Sequence, residues 1–134
     1  MGRRFVWQYV TVAFLCATLP VSAVAAEASW RDGRKIFRKC ESCHSFNPNE
    51  HRFGPSLFGV FGRNAGTAPD YKYSPGMNSA RNKGLRWTQE TLEKFLTEPK
   101  FFIKNTRMSF PGLKKNADRE NVIAYVKRRS LRGR

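Results

Sequence analysis

The segment Cys40-Glu41-Ser42-Cys43-His44 constrains this 134-residue chain more than any other feature. Two cysteines three positions apart, followed at once by a histidine, form the attachment signature of a c-type haem. A helical turn that ends in a bend would bring both thiols to the haem vinyl groups and would point the next imidazole at the iron. The motif therefore predicts one haem c, bound covalently through Cys40 and Cys43, with His44 as an iron ligand.

Other interpretations of the two thiols agree less well with the rest of the sequence. A zinc site needs four ligands, and after residue 26 the chain offers only these thiols, His44 and His51, three of them crowded into five positions. A redox-active dithiol needs a βαβ context, and the sequence contains no strand pattern that would supply one. A disulfide across only two residues would be strained.

The first 26 residues have the layout of an export signal. Two arginines precede an apolar stretch over residues 5–19, a proline interrupts it, and small residues fill positions 22–26. These are the parts of a secretory signal peptide. We expect residues 1–26 to be removed on export to the periplasm, and residues 27–134 to form one domain. Attachment of haem to thiols also takes place outside the cytoplasm, which agrees with export.

The small residues at the end of this segment fit a cut before Ala26 or before Glu27. The alternative is that the segment is retained as a membrane anchor, since residues 5–26 are long enough to span a bilayer. Cys16 lies inside the segment, but the large side chains before it do not fit a lipidation site.

The chain carries 25 Lys and Arg against 10 Asp and Glu, a net charge of +15, with 40% apolar and 13% aromatic residues. That apolar content excludes a disordered polyelectrolyte. The charge favours acidic partners over nucleic acid, because the leader directs the chain out of the cell interior. The tail at residues 127–134 holds five cations and no acid, so a weak contact with anionic lipid is a further expectation.

Hydrophobic periodicity after residue 26 predicts an all-α fold with three main helices and long loops. The helices are expected at residues 29–39, 88–98 and 117–129, capped by Ser29, Thr88 and Asn116. Residues 45–86 are rich in Gly, Pro and Asn and lack periodicity. A loop of this length inside a compact domain needs a large ligand to organise it.

The sixth iron ligand decides what such a protein does. An open position gives a haem enzyme or gas sensor, and a closed one gives an electron carrier. The candidates are His51, Met77 and Met108. Met108 lies in a loop between two predicted helices and Met77 in a turn-like tip. Its position in a loop between helices favours Met108 as the sixth ligand, but the residues alone do not exclude Met77.

An ordered set of segments resembles the class I cytochromes c, specifically the mitochondrial-like bacterial members. The segments are GRKIFRKCESCH, FGPSLFGVFGR, YKYS, KGLRWTQETLEKFLTEP, NTRMSFPGLKK and RENVIAYVKRR. They cover about Gly33 to Arg129. The resemblance implies the small cytochrome c fold wrapped around one covalent haem, with His44 and Met108 as axial ligands. It also implies that the first and last helices pack together through Gly33, Phe37 and Tyr125.

The same resemblance implies roles around the haem. The Pro55 carbonyl would accept a hydrogen bond from the outer N–H of His44 and so orient the ring. Donors near the haem propionates would be Arg63, Tyr73 and Trp87, with Thr106 and Asn78 as weaker candidates. The chain departs from the family at Phe95, where many relatives have tyrosine, at Lys104-Asn105, which replaces proline-glycine, and in extra residues around Met77.

The function implied is that of a monomeric electron carrier, not an enzyme. It would take single electrons from a quinol–cytochrome c oxidoreductase of the cytochrome bc type. It would pass them to an oxidase, a photosynthetic reaction centre or a peroxidase. A ring of cations around the haem edge would steer it to acidic docking sites on these membrane complexes. By the resemblance, the ring consists of Lys39, Arg52, Lys100, Arg107, Lys114 and Lys115.

Overall fold

The computed structural model describes residues 1–2 and 27–132, so the predicted leader lies almost wholly outside the described residues. Five helices form the described part: α1 (Trp30–Phe37), α2 (Pro75–Asn82), α3 (Gln89–Thr97), α4 (Pro99–Phe102) and α5 (Asn116–Ser130). Within the same ranges β pairing is limited to an isolated bridge between Asn64 and Arg86. The prediction of an all-α fold with long loops is confirmed. No helix in this part of the chain is long and apolar enough to cross a bilayer.

Local capping chemistry starts two of the predicted helices. The Ser29 hydroxyl accepts a hydrogen bond from the Asp32 backbone N–H at 3.3 Å, as expected. Thr88 accepts from the Thr91 N–H at 3.3 Å, and the Thr91 hydroxyl accepts from the Thr88 N–H at 2.8 Å. This reciprocal pair satisfies two orphan donors at the start of α3.

The predicted cap of the last helix is wrong. Helix α5 begins at Asn116 itself and is preceded by Lys115, which makes no side-chain capping bond. The Asn116 amide instead donates to Glu120 at 2.6 Å, and its oxygen accepts from Arg119 at 3.0 Å. Charged partners three and four positions along the same helix face hold the amide there, so it is unavailable for capping.

The segment 45–86 is not one continuous loop. Helix α2 occupies part of it and begins where a turn-like tip was predicted. Its cap is Ser74, whose hydroxyl accepts from the Met77 N–H at 3.2 Å, and Pro75 takes the first helical position. Proline fits there because its missing N–H would have no helical partner. Pro99 likewise ends α3 and begins the short α4.

Helices α1 and α5 form the largest helix–helix contact of the described chain. A side-chain carbon at Gly33 would lie 2.9 Å from Tyr125 Cβ and closer still to the Asn121 carbonyl oxygen. The rings of Phe37 and Tyr125 are 5.3 Å apart. The Ser29 N–H also donates to the Asn121 side chain at 2.7 Å. The expected joining of the first and last helices through these residues is therefore present.

We predict that Gly33→Ala destabilises the protein by about 2 kcal/mol, because the added methyl overpacks a backbone contact that cannot relax. The free energy of unfolding from denaturant titration of the haem-loaded protein measures this. The exposed neighbour Arg34→Ala serves as control, with an expected change within about 0.5 kcal/mol. A Gly33→Ala protein as stable as the parent would contradict the close crossing.

Candidate functional site

The two thiols lie on a tight turn that continues α1. The Cys40 N–H donates to the Phe37 carbonyl at 2.7 Å, and the Cys43 and His44 N–H groups donate to the Cys40 carbonyl at 3.1 and 2.9 Å. Neither cysteine is in a disulfide. The turn thus presents two sulfurs close together with an imidazole directly after them, as the motif predicted.

A hydrogen bond at Nδ1 holds the His44 ring in place. Nδ1 donates to the Pro55 carbonyl at 2.7 Å, the contact that the resemblance implied. Burial lowers the pKa of His44, against the smaller opposing effect of this bond. The imidazole is therefore neutral near pH 7, and the bond at Nδ1 leaves the Nε2 lone pair available to a metal.

Gly54 was not singled out from the sequence, although it lies directly before Pro55. A side-chain carbon at Gly54 would lie 2.8 Å from His44 Nδ1 and closer still to the ring carbon. The Gly54 N–H donates to the Cys43 carbonyl at 2.8 Å. The loop therefore folds back on the thiol turn, and only glycine leaves room for the ring.

The environment of the thiols does not favour a reactive dithiol or a zinc site. Burial raises the pKa of Cys40 to about 11, with smaller contributions from Cys43 and Glu41. A protonated thiol is a poor nucleophile, which disfavours a reactive dithiol. Among the described residues, no group of three or more His, Cys, Asp or Glu side chains could hold a metal ion.

His51 is engaged by backbone groups. Its Nε2 donates to the Pro69 carbonyl at 2.7 Å, and its Nδ1 accepts from the Ser56 N–H at 3.0 Å. Both ring nitrogens are thereby used to link two loops. This removes His51 from the candidates for the sixth ligand that the sequence left open.

The two methionines differ in their surroundings. Met77 is 9% exposed and belongs to the buried core on α2. Met108 is half-buried and packs against the edge of that core from the loop between α4 and α5, hereafter the Met108 strap (residues 103–113). The Met108 N–H donates to the Thr106 hydroxyl at 3.3 Å. Met77 thus fills the core, whereas Met108 is presented on a strap.

Contacts from the region of α2 hold the start of the strap. The Arg107 guanidinium donates to the Lys72 carbonyl. A side-chain carbon at Gly76 would lie 2.9 Å from the Asn105 carbonyl carbon and closer still to the Lys104 carbonyl oxygen. Asn105 has a φ of 59°, which asparagine tolerates better than most residues. Asparagine can therefore adopt the backbone conformation of this position, where many relatives have glycine.

Three residues assigned to the haem propionates lie together. The backbone N–H of Trp87 donates to the backbone carbonyl of Arg63 at 3.0 Å, which fixes the two chain segments side by side. Arg63 and Tyr73 are close enough for each to affect the other's pKa. Burial is the larger effect on both: it raises the pKa of Tyr73 and lowers that of Arg63. Thr106 lies on the Met108 strap, where the next residue, Arg107, donates to the carbonyl of Lys72 beside Tyr73.

Arg63 has a buried donor without a partner. Its two terminal nitrogens donate to the carbonyls of Phe58 at 2.7 Å and Ser56 at 3.3 Å, whereas its buried Nε has no hydrogen-bond acceptor. The Tyr73 hydroxyl accepts from the Ala68 N–H at 3.1 Å, and its own proton remains to be donated. Buried donors of this kind suit carboxylates, which are costly to bury without them.

Part of the apolar core is incompletely covered. Many apolar side chains that pack against the buried cluster remain only partly buried, and this set includes Cys40, Tyr73 and Met108. Others in the set are Leu57, Phe61, Leu85, Leu96 and Phe110. A large apolar group with carboxylates would bury side chains of this set and give the Arg63 donor an acceptor. The residues present therefore fit a haem.

At Phe95, the chain fills the position of the family's tyrosine with a purely apolar ring. Phe95 is 6% exposed, and its ring centroid lies 5.0 Å from that of Trp87 and 6.3 Å from that of Phe102. Phenylalanine adds no hydroxyl that would need a partner in this aromatic core.

Comparisons with known proteins agree with this site. Residues 30–130 match the family model described as cytochrome c. Cytochrome c2 of Afifella marina is 43% identical over 96 residues, which cover 71% of this chain and 77% of that protein. Cytochrome c of Ginkgo biloba is 44% identical over 97 residues, covering 71% of this chain and 83% of the relative.

A solved structure is also similar to this chain. Cytochrome cH from Methylobacterium extorquens superposes with a TM-score of 0.68 at 34% identity, covering 75% of this chain and 99% of that one. The relatives are named as cytochromes c, which are electron carriers and not enzymes. With two thiols in the attachment spacing beside a neutral, oriented histidine, this chain belongs to the cytochrome c family of electron-transfer proteins with covalently bound haem c.

Proposed function

We propose that this chain is a periplasmic single-electron carrier whose haem iron is held by His44 and Met108. The observation that carries the proposal is the orientation of the His44 ring, which a hydrogen bond of 2.7 Å to the Pro55 carbonyl fixes. Bound haem supplies an iron that alternates between the ferric and ferrous states. The chain's part is to keep both axial side chains in place, so that little rearrangement accompanies the change of charge.

The local contacts favour Met108 over Met77 as the second axial ligand. Met77 is committed to the core, whereas Met108 lies on a strap braced by Thr106 and by the Arg107 bond to Lys72. A thioether favours ferrous iron and raises the reduction potential, as does an apolar surrounding. A closed sixth position also excludes the alternative of a haem enzyme or gas sensor.

We expect Met108→Ala to lower the reduction potential markedly and to let the ferrous protein bind carbon monoxide, because the sixth position opens. Redox titration and visible spectra measure both effects. Met77→Leu conserves core volume and serves as control, so the weak red absorption band of methionine-bound ferric haem should persist in it. If Met108→Ala fails to bind carbon monoxide, or if Met77→Leu removes the band, the assignment of Met108 is wrong.

We also propose that Arg63, Tyr73 and Trp87 donate hydrogen bonds to the propionates, with Thr106 as a weaker candidate for the same network. The support is the grouping of the first three and the unpartnered Arg63 Nε. Two buried carboxylates without such donors would cost several kcal/mol. A guanidinium near the iron also disfavours the more positive ferric state.

Arg63→Gln should therefore lower the reduction potential, since it removes a positive charge that opposes oxidation. It should also reduce stability by about 1–3 kcal/mol, because the carbonyls of Phe58 and Ser56 lose a donor. Arg63→Lys keeps the charge and should retain more of the potential than Arg63→Gln. A loss of stability with an unchanged potential would mean that Arg63 only braces its loop.

The haem-edge cations are proposed to dock acidic sites on a cytochrome bc-type donor and on an oxidase, reaction centre or peroxidase acceptor. All six side chains of that ring are exposed. Arg52 is partly neutralised by Glu50 at 3.1 Å, whereas Arg107 donates to the neutral Lys72 carbonyl and keeps its charge. The other four cations of the ring are lysines, which therefore carry most of the steering charge. The high positive charge also supports a monomer, since two copies repel each other.

Export and lipid contact complete the proposal. The leader lies outside the described residues, so its support is the sequence pattern alone. In the tail, Lys127 and Arg129 lie over the rings of Phe61 and Phe46 at 5.1 and 5.3 Å. These two cations, two positions apart on α5, contact different rings, so the tail offers anionic lipid a weak contact and not a continuous strip.

Membranes from the source organism test the carrier role. We expect the protein to be recovered from the periplasmic fraction with residues 1–26 missing by mass. Quinol-supplied membranes should reduce it at a rate that falls steeply with salt, because exposed charges are screened within about 8–10 Å at 0.1–0.15 M.

Lys114→Gln with Lys115→Gln should slow that reaction, whereas Lys83→Gln with Lys94→Gln removes the same charge away from the ring and should not. A reduction rate that does not depend on salt would contradict docking through the ring, and an intact leader by mass would indicate the anchored form.

A further inference from the structure

A second basic surface adjoins the proposed haem-edge ring, since Arg52 of the ring donates to the carbonyl of Glu41, which lines this surface. Arg31, Arg34 and Arg38 are exposed and fall three and four positions apart on α1 and its continuation, hence on one face. Arg128 on α5 joins them, and we call these four residues with Trp30 the arginine face. The cleft along the α1 part of this face is lined by Trp30, Arg31, Arg34, Lys35, Arg38 and Glu41.

Trp30 is the centre of the arginine face. Its ring centroid lies 4.8 Å from Arg31 Cζ and 4.3 Å from Arg128 Cζ, so guanidinium groups from both helices contact one indole. Such cation–π contacts hold flexible arginines in place. The stacking unites two segments that are almost a hundred positions apart in the sequence.

The face is also rigid. Helices α1 and α5 are locked by the close approach at Gly33 and by the Ser29–Asn121 hydrogen bond of 2.7 Å. Donors held in a fixed arrangement lose less conformational entropy when they bind a partner. The arginine face therefore needs little rearrangement to bind a partner.

The charge of the face is not compensated within the described chain. The nearest helical acid, Asp32, pairs with Lys35 at 2.8 Å. None of the salt bridges found between described residues involves the four arginines of the face. Glu41 contributes the cleft's one carboxylate and is itself exposed. The proposed haem-edge ring uses none of these four arginines, and only Arg128 belongs to the basic tail.

We propose that the arginine face docks a carboxylate-rich segment of another protein, through cations that the haem-edge ring does not include. Guanidinium groups bind carboxylates with two parallel hydrogen bonds, which lysine cannot do. Arginine and tryptophan are also the residues that dominate protein–protein binding energy. A second copy of this chain is not the occupant, because its charge of +15 repels.

Docking there gives the carrier a second point of attachment. None of the four arginines belongs to the six cations of the proposed haem-edge ring, so an acidic segment on the arginine face leaves those cations available. A partner could thus hold the protein while the haem edge meets a redox complex. Two attached sites would raise the effective local concentration without any new contact at the haem edge.

The test uses the purified, haem-loaded, ferrous protein and poly-L-glutamate as the probe, at low salt. Titration followed by 1H–15N NMR should shift the indole N–H of Trp30 and the amides of residues 31–38. The double substitution Arg34→Gln and Arg38→Gln should weaken binding at these signals about tenfold, since two exposed charge pairs are lost.

The control Lys83→Gln with Lys94→Gln removes the same charge from exposed positions elsewhere and should change the binding less than twofold. Reduction potentials should be unchanged in both proteins. The proposal fails if poly-L-glutamate shifts only signals of the haem-edge ring, or if the control weakens binding as much as the arginine variant does.

A second experiment tests binding to vesicles of phosphatidylcholine and phosphatidylglycerol in a 7:3 ratio. We expect the arginine variant and the control to bind these vesicles equally well. If the arginine variant instead loses vesicle binding and keeps poly-L-glutamate binding, the arginine face is a membrane surface and the proposal is overturned.

Discussion

The hydrogen bond from His44 to the Pro55 carbonyl is the constraint on which the rest of the site depends. It selects the tautomer, orients the ring and leaves the opposite nitrogen for a metal. Its geometry requires the loop to fold back on the thiol turn, and that return is possible only because Gly54 has no side chain to meet the imidazole. One short backbone segment therefore sets both the position and the chemistry of the ligand.

The helix caps that depend on side chains within one turn were the predictable part of the fold. Ser29 and Thr88 were identified as caps because a hydroxyl three residues before its target acts within one turn. The same logic failed at Asn116, where charged neighbours on the helix compete for the amide. It also missed α2, although Ser74-Pro75 is a recognisable start, because the glycine-rich surroundings masked the short periodic run.

Long-range organisation could not be obtained from the residues alone. Arg63 and Trp87 are brought together by a backbone bond between segments with no shared pattern. The choice between Met77 and Met108 stayed open for the same reason, since core burial depends on how α2 packs. Resemblance to a family suggested Met108, and the contacts support that proposal, because the Met77 sulfur is enclosed in the core and Met108 packs only partly buried against it.

The start of the Met108 strap packs closely against helix α2 at Gly76, and the bond from Arg107 to the Lys72 carbonyl ties it there. The strap therefore cannot swing outward without breaking that bond. If Met108 is the iron ligand as proposed, exchange of its sulfur for another donor would need this local opening first. The lifetime of the closed coordination sphere is in that case governed by a stretch of chain that touches neither the thiols nor the imidazole.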